Sequence, residues 1–194
     1  MDNMRHTLTQ YAEPVAGSLA DVARNAHTSL AESFINADAI CIVDVSGSMD
    51  ARDGRDNMTR YEVACDELAA LQQTLPGKIA VLAFSNQTVF CPNGVPLNMG
   101  GSTDLAGALT FAKVADVPDM RFIVISDGEP DDQSAALRVA KRYTQRIDVI
   151  YVGSEVSPRG RDFLTQLAKA SGGQAVTADR VTALSDKVQL LLAA

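Results

Sequence analysis

Apolar positions along this chain follow two alternating patterns, and the alternation predicts the architecture. Four short segments are almost continuously apolar and rich in β-branched residues: "AICIVDV" (39–45), "KIAVLAF" (78–84), "RFIVIS" (121–126) and "IDVIYVG" (147–153). Strands buried on both faces have this composition, and such burial is the habit of parallel sheets covered by helices. A shorter run, "QTVF" (87–90), follows the second segment after a brief turn and ends near Pro92. It predicts an antiparallel partner at the sheet edge. "GQAVTA" (173–178) is a candidate sixth strand.

The segments between them repeat at three- and four-residue spacing. Tyr61, Ala64, Leu68, Leu71 and Leu75 share one helical face, and "PG" at 76–77 stops it. Leu105, Ala108, Leu109 and Ala112 repeat the pattern, as do Ala136, Val139, Ala140 and Tyr143. Ser157 before Pro158 predicts a helix start, and "GG" at 172–173 its end. Val181, Leu184, Val188 and Leu191 predict a last helix. Strands alternating with helices imply an α/β fold. Its sheet is doubly wound and mostly parallel, with one antiparallel edge strand and helices on both faces. Residues 1–37 differ, carrying a helical stripe of Leu8, Tyr11, Val15, Leu19, Val22, Ala26, Leu30 and Phe34 that Pro14 and Gly17 interrupt. The division is therefore an N-terminal helical extension (1–37) and one α/β domain (38–194). The extension reads as a helix or two packed on the domain, with a docking or dimerisation segment as the alternative.

Composition narrows the function. A chain of 194 residues suits one such domain. A net charge of −7 without a basic run argues against binding nucleic acid by neutralising phosphates. Only 5% of residues are aromatic and none is Trp, which argues against base-stacking platforms. The first residues lack the apolar core of a secretory signal, and no apolar run is long enough to span a bilayer. The expectation is a cytoplasmic protein without a membrane partner. Cys41, Cys65 and Cys91 are widely spaced and read as reduced thiols, not as a disulfide framework or zinc site.

Candidate chemistry gathers where strands end. In an open α/β sheet, sites form at the carboxyl ends of strands, beside the point where strand order reverses. "DVSGSM" (44–49) leaves the first strand, "SDGEPDD" (126–132) leaves the fourth, and "GGSTDL" (100–105) opens the helix before the fourth. Each loop alone reads as a turn or helix cap. Together they offer carboxylates, hydroxyls and glycines, while both histidines, His6 and His27, lie in the extension. All-oxygen chemistry selects a hard cation such as Mg²⁺, Mn²⁺ or Ca²⁺ over zinc.

On these residues the chain resembles the von Willebrand factor type A (vWA), or integrin I-like, domain. Asp44, Ser46 and Ser48 fit its D-x-S-x-S motif, Thr103 fits its threonine, and Asp127 fits its second aspartate. Together these make the family's metal-ion-dependent adhesion site, and the resemblance spans roughly residues 38–194. It implies that Ser46 and Ser48 bind the metal directly, Thr103 directly or through water, and Asp44 and Asp127 largely through water. Neutral hydroxyls leave the ion's charge unquenched, so it keeps an appetite for an anionic oxygen. A partner protein's Glu or Asp supplies it. Related intracellular domains serve AAA+ ATPases or stress-response operons, so an AAA+ ATPase or operon-encoded protein is the partner class implied.

Two other readings compete with this adaptor. A Mg²⁺-dependent phosphohydrolase of haloacid-dehalogenase type also places Asp after its first strand, but needs a second Asp where this chain has Ser46. No G-x-S-x-G elbow and no phosphate-cradling glycine loop with Lys is present. The expectation is a protein that is not an enzyme. An oligomerising scaffold with a vestigial metal site is the third reading.

Overall fold

A computed structural model describes residues 13–53, 57–153 and 159–177. Within them lies a six-stranded sheet of order β3-β2-β1-β4-β5-β6. The strands are β1 (Ala39–Asp44), β2 (Ile79–Phe84), β3 (Thr88–Phe90), β4 (Arg121–Ser126), β5 (Ile147–Tyr151) and β6 (Ala175–Thr177). All pairs are parallel except β2 with β3. The helices are α1 (Leu19–Ala26), α2 (Leu30–Ile35), α3 (Arg60–Thr74), α4 (Leu105–Ala112), α5 (Gln133–Ala140) and α6 (Arg159–Ala170).

Period-two side-chain alternation explains why the central strands are apolar throughout. Ile40, Ile42, Phe122 and Val124 face a layer containing Leu105, Leu109, Ala136 and Leu164. Cys41, Val43, Ile123 and Ile125 face the opposite layer, built on Ala64, Leu68 and Leu71 of α3. Every residue of β1, β2 and β5 is buried, whereas the edge strand β3 is half-buried. The chain runs from β1 to β2 on one side, while β4 pairs with β1 on the other. The strand order therefore reverses between β1 and β4, and sheets of this kind place their sites at the carboxyl ends of such strands.

Helix ends follow local chemistry. Thr59 and Glu62 form a reciprocal capping box that starts α3. The periodic pattern places Tyr143 on α5, but that helix stops at Ala140 and Tyr143 lies in the turn leading to β5. Its ring still packs edge-on to Phe122, centroids 4.9 Å apart, and its hydroxyl donates to the Leu109 carbonyl. A phenol with both an apolar body and a polar tip fits a core margin whether or not its backbone is helical.

The described part of the extension packs on the domain. Its stripe breaks a second time at His27, which ends α1 in a left-handed conformation, before the Ser29–Glu32 capping box starts α2. Leu19 and Ala37 are buried in the core, and Phe34 packs edge-on to Phe90. Gly17, at φ +80°, lies so close to the Gln72 carbonyl that any side chain there would collide. Stripe positions Leu8 and Tyr11, the Ser157–Pro158 helix start and the predicted helix over 181–191 lie outside the described residues. All three cysteines are unpaired, and burial pushes the Cys41 thiol up to about 12. No helix among the described residues is long and apolar enough to cross a membrane.

Candidate metal centre

Asp44 ends β1 with a fully buried side chain. Its Oδ1 accepts from the Ser46 backbone N–H at 2.9 Å, and its Oδ2 from the Ser126 hydroxyl at 2.6 Å. Ser126 Oγ in turn accepts from the Gly128 N–H. One carboxylate thus ties the exits of β1 and β4 together. Burial raises its pKa above the ordinary carboxylate value, the bonds from Ser126 and Ser46 oppose that rise, and the Asp127 charge adds to it.

Asp44 organises the turn, and the two serine hydroxyls are not needed for it. Ser46 starts the 3₁₀ turn Gly47–Asp50 without a side-chain cap bond. Its Oγ sits instead 3.2 Å from Ser48 Oγ. Ser46 is buried and Ser48 exposed, so the pair runs from the interior to the surface.

Thr103 arrives on a loop pinned to both neighbours. Gly100 and Gly101 adopt φ of +62° and +88°, which lets that loop's backbone meet the first loop. The Gly100 N–H donates to the Val45 carbonyl, and the Gly47 N–H to the Gly101 carbonyl. On the other side, the Thr103 N–H donates to Asp131 Oδ2 at 3.2 Å and the Asp131 N–H to the Thr103 carbonyl. The cap of α4 is Asp104, whose carboxylate accepts from the Gly107 N–H. Capping α4 therefore does not account for Thr103.

Asp127 leaves β4 with its side chain 4% exposed. Its Oδ2 accepts from an Arg60 guanidinium nitrogen at 2.8 Å, while its buried Oδ1 has no hydrogen-bond partner. Two other buried oxygens among the described residues share that condition, Gln72 Oε1 and Asp148 Oδ2. The first belongs to a neutral amide, and the second has the Arg146 guanidinium 3.2 Å away. An ionisable oxygen left unanswered inside a protein is costly, so Asp127 Oδ1 marks a place where a ligand is expected.

The structure thus brings Asp44, Ser46, Ser48, Thr103 and Asp127 onto three mutually hydrogen-bonded loops at one end of the sheet. It adds Arg60, Asp53 and Ser126, which sequence reasoning missed. A signal existed for Arg60: it is the first residue of α3, where the helix dipole disfavours a cation. The combined chemistry is hard oxygen. Among the described residues no group of three or more His, Cys, Asp or Glu is arranged to hold a metal. Any ion here would rely on hydroxyls, and this donor set fits Mg²⁺, Mn²⁺ or Ca²⁺.

No family model matches the chain, and no curated protein sequence matches it. Solved structures do. An aerotolerance-related membrane protein from Bacteroides fragilis, carrying multiple mutations to serine, superposes with a TM-score of 0.63 at 16% identity, covering 80% of this chain and 98% of that one. The SpRpn10 VWA domain gives 0.56 at 16% identity, covering 78% and 93%. Manganese-loaded Plasmodium vivax TRAP gives 0.55 at 16% identity, covering 81% and 72%. At such identities the likeness concerns architecture: this chain has the Rossmann-like vWA fold.

Proposed function

We propose that this chain is a metal-dependent protein-binding module that captures an acidic side chain of a partner through a divalent cation. Asp127 Oδ1, buried without a partner on a loop that Ser126 and Asp44 tie to the one carrying the Ser46–Ser48 hydroxyl pair, is the observation that carries this reading. Ser46, Ser48 and Thr103 would hold the ion, with Asp44 and Asp127 supplying charge around it. The bound ion would act as a Lewis acid presented to a Glu or Asp of the partner. This chain's own part is orientation: Asp44 fixes the loop through Ser126 and Ser46, and Asp131 fixes the Thr103 backbone. Mg²⁺ is the first candidate, with Mn²⁺ or Ca²⁺ as substitutes; the manganese carried by the TRAP structure supports metal binding on this fold.

The module binds and does not catalyse in this reading, since Ser46 replaces the acid/base aspartate of a dehalogenase-type phosphohydrolase. Three unpaired cysteines suit a reducing cytoplasm. The partner class, by resemblance, is an AAA+ ATPase or an operon-encoded protein. The test is a pull-down from the native host with the full chain in Mg²⁺, in EDTA, and with Thr103→Ala. A partner retained only by the unaltered chain in Mg²⁺ supports the reading. A partner retained equally in all three contradicts it.

A further inference from the structure

The positive charge touching Asp127 belongs to the protein itself. Arg60 Nε donates to Asp53 Oδ1 at 2.8 Å and one terminal nitrogen to Asp53 Oδ2 at 2.6 Å, a two-pronged clamp. The other terminal nitrogen donates to Asp127 Oδ2 at 2.8 Å and lies 3.5 Å from the Ser48 carbonyl. The Arg60 side chain is only 14% exposed, and the Thr59–Glu62 capping box fixes the backbone from which it projects. A cation on the first residue of a helix works against the helix dipole. The carboxylates it bridges offset that cost. The bonds from Asp53, and the nearby Asp127 charge, keep it firmly protonated.

We propose that Arg60 is a built-in counter-cation that sets the metal affinity of this site. It neutralises Asp127 while no ion is bound, and a divalent ion must compete with it for that carboxylate. Two observations meet here. Asp127 is buried, and its Oδ2 already rests on the Arg60 guanidinium at 2.8 Å, so this carboxylate has a cation of the protein's own. A guanidinium and a divalent ion drawn to one carboxylate repel each other, with little water between to screen them. Asp53 holds the displaced arginine, giving the competition a resting place on either side.

This inference rests on the metal-binding reading above. Its test is calorimetric titration of the full chain with MnCl₂, plus thermal melting in EDTA, for wild type, Arg60→Met and Arg52→Met. Arg52 lies in the segment that precedes α3, carries the same charge and contacts the Asn57 carbonyl and Glu62. Arg60→Met is expected to melt below wild type in EDTA and to bind Mn²⁺ at least tenfold more tightly. Arg52→Met is expected to bind within about twofold of wild type, since exposed charges are screened. If Arg60→Met does not fold, Arg60→Gln keeps a donor for Asp127 without the charge and must give the same tightening. Wild type binding Mn²⁺ with the Arg60 variants no tighter would overturn the competition and leave the metal reading standing. An equal gain in Arg52→Met would reduce the effect to general charge and overturn it too. No binding by any variant would sink both proposals together. An unchanged melting of the Arg60 variants in EDTA would overturn the counter-cation role.

Discussion

Two aspartates with shielded side chains, at opposite ends of the sheet, are treated in opposite ways. Asp116 lies at the amino end, after the 3₁₀ turn Lys113–Ala115 and ahead of β4. Its Oδ2 accepts from Lys113 Nζ at 2.7 Å and the Thr144 N–H at 2.8 Å, and its Oδ1 from the Gln145 N–H at 2.9 Å. Burial pushes its pKa upward, but the bonds from Lys113 and the Thr144 and Gln145 amides outweigh it and hold the group at about 2. Lys113 also lies over the Tyr143 ring, 4.8 Å from its centroid. Asp127, at the carboxyl end, is as well buried, with one oxygen on Arg60 and the other unanswered. Both oxygens of Asp116 are committed to a clasp between the turn after α4 and the start of β5. Asp127 keeps an acceptor in reserve, which is how a site differs from a brace.

The strongest challenge to that contrast is Asp44→Ala. It strands the Ser126 hydroxyl and the Ser46 amide in a buried place, at a cost of about 3 kcal/mol. Denaturant unfolding with and without Mg²⁺ is expected to show that loss together with no remaining metal response. A variant that kept its metal response would detach Asp44 from the site.

Asp116→Asn comes next and should touch only the brace. Its folded pKa lies below the unfolded value of 3.8, so the carboxylate stabilises fully above about pH 4. That contribution fades as pH falls through about 2. Unfolding is expected to show a deficit of about 2 kcal/mol at pH 7 that closes near pH 2. The Mg²⁺ response should be untouched; a changed one would mean that the two ends are coupled.

Smaller effects on folding are expected from the hydroxyls. Thr103→Ala should cost no more than about 1 kcal/mol, because Asp104 caps α4 and the Asp131 bonds use the Thr103 backbone. The Mg²⁺ effect should shrink and metal-dependent partner capture should fall steeply. Ser48→Ala, at an exposed position, should stay within about 0.5 kcal/mol of wild type in EDTA while its Mg²⁺-induced melting shift falls. Loss of stability without loss of metal response in either variant would make these hydroxyls structural.

The sequence made the sheet legible because burial of both faces leaves an unmistakable mark on β1, β2, β4 and β5. β3 was readable through Pro92 and its short turn. Tyr143 misled for a reason: three-residue spacing persists past the end of a helix when the following turn still faces the core. The break at His27 left no such trace, since a left-handed histidine carries no mark in the sequence. At the site, residue types and strand-end positions pointed to the three loops, and the resemblance to the vWA motif singled out the five side chains on them. What they could not convey was commitment: which hydroxyls cap a helix and which remain available is a matter of hydrogen bonds. Ser46 proved free of capping duty and Asp104 took the cap that Thr103 resembled. Arg60 stayed hidden because its partner Asp127 is 67 residues away.

The central claim, that the carboxyl end of the sheet is reserved for a divalent cation, is tested most directly by thermal melting of the full chain against Mg²⁺ concentration, with EDTA as reference. One ion at a hundred times its dissociation constant stabilises the folded state by about 2.7 kcal/mol, or roughly 5–10 °C for a chain of this size. The account predicts a saturable rise of that order with Mg²⁺ or Mn²⁺, and no special advantage for Zn²⁺. A melting temperature indifferent to Mg²⁺, Mn²⁺ and EDTA alike would contradict it.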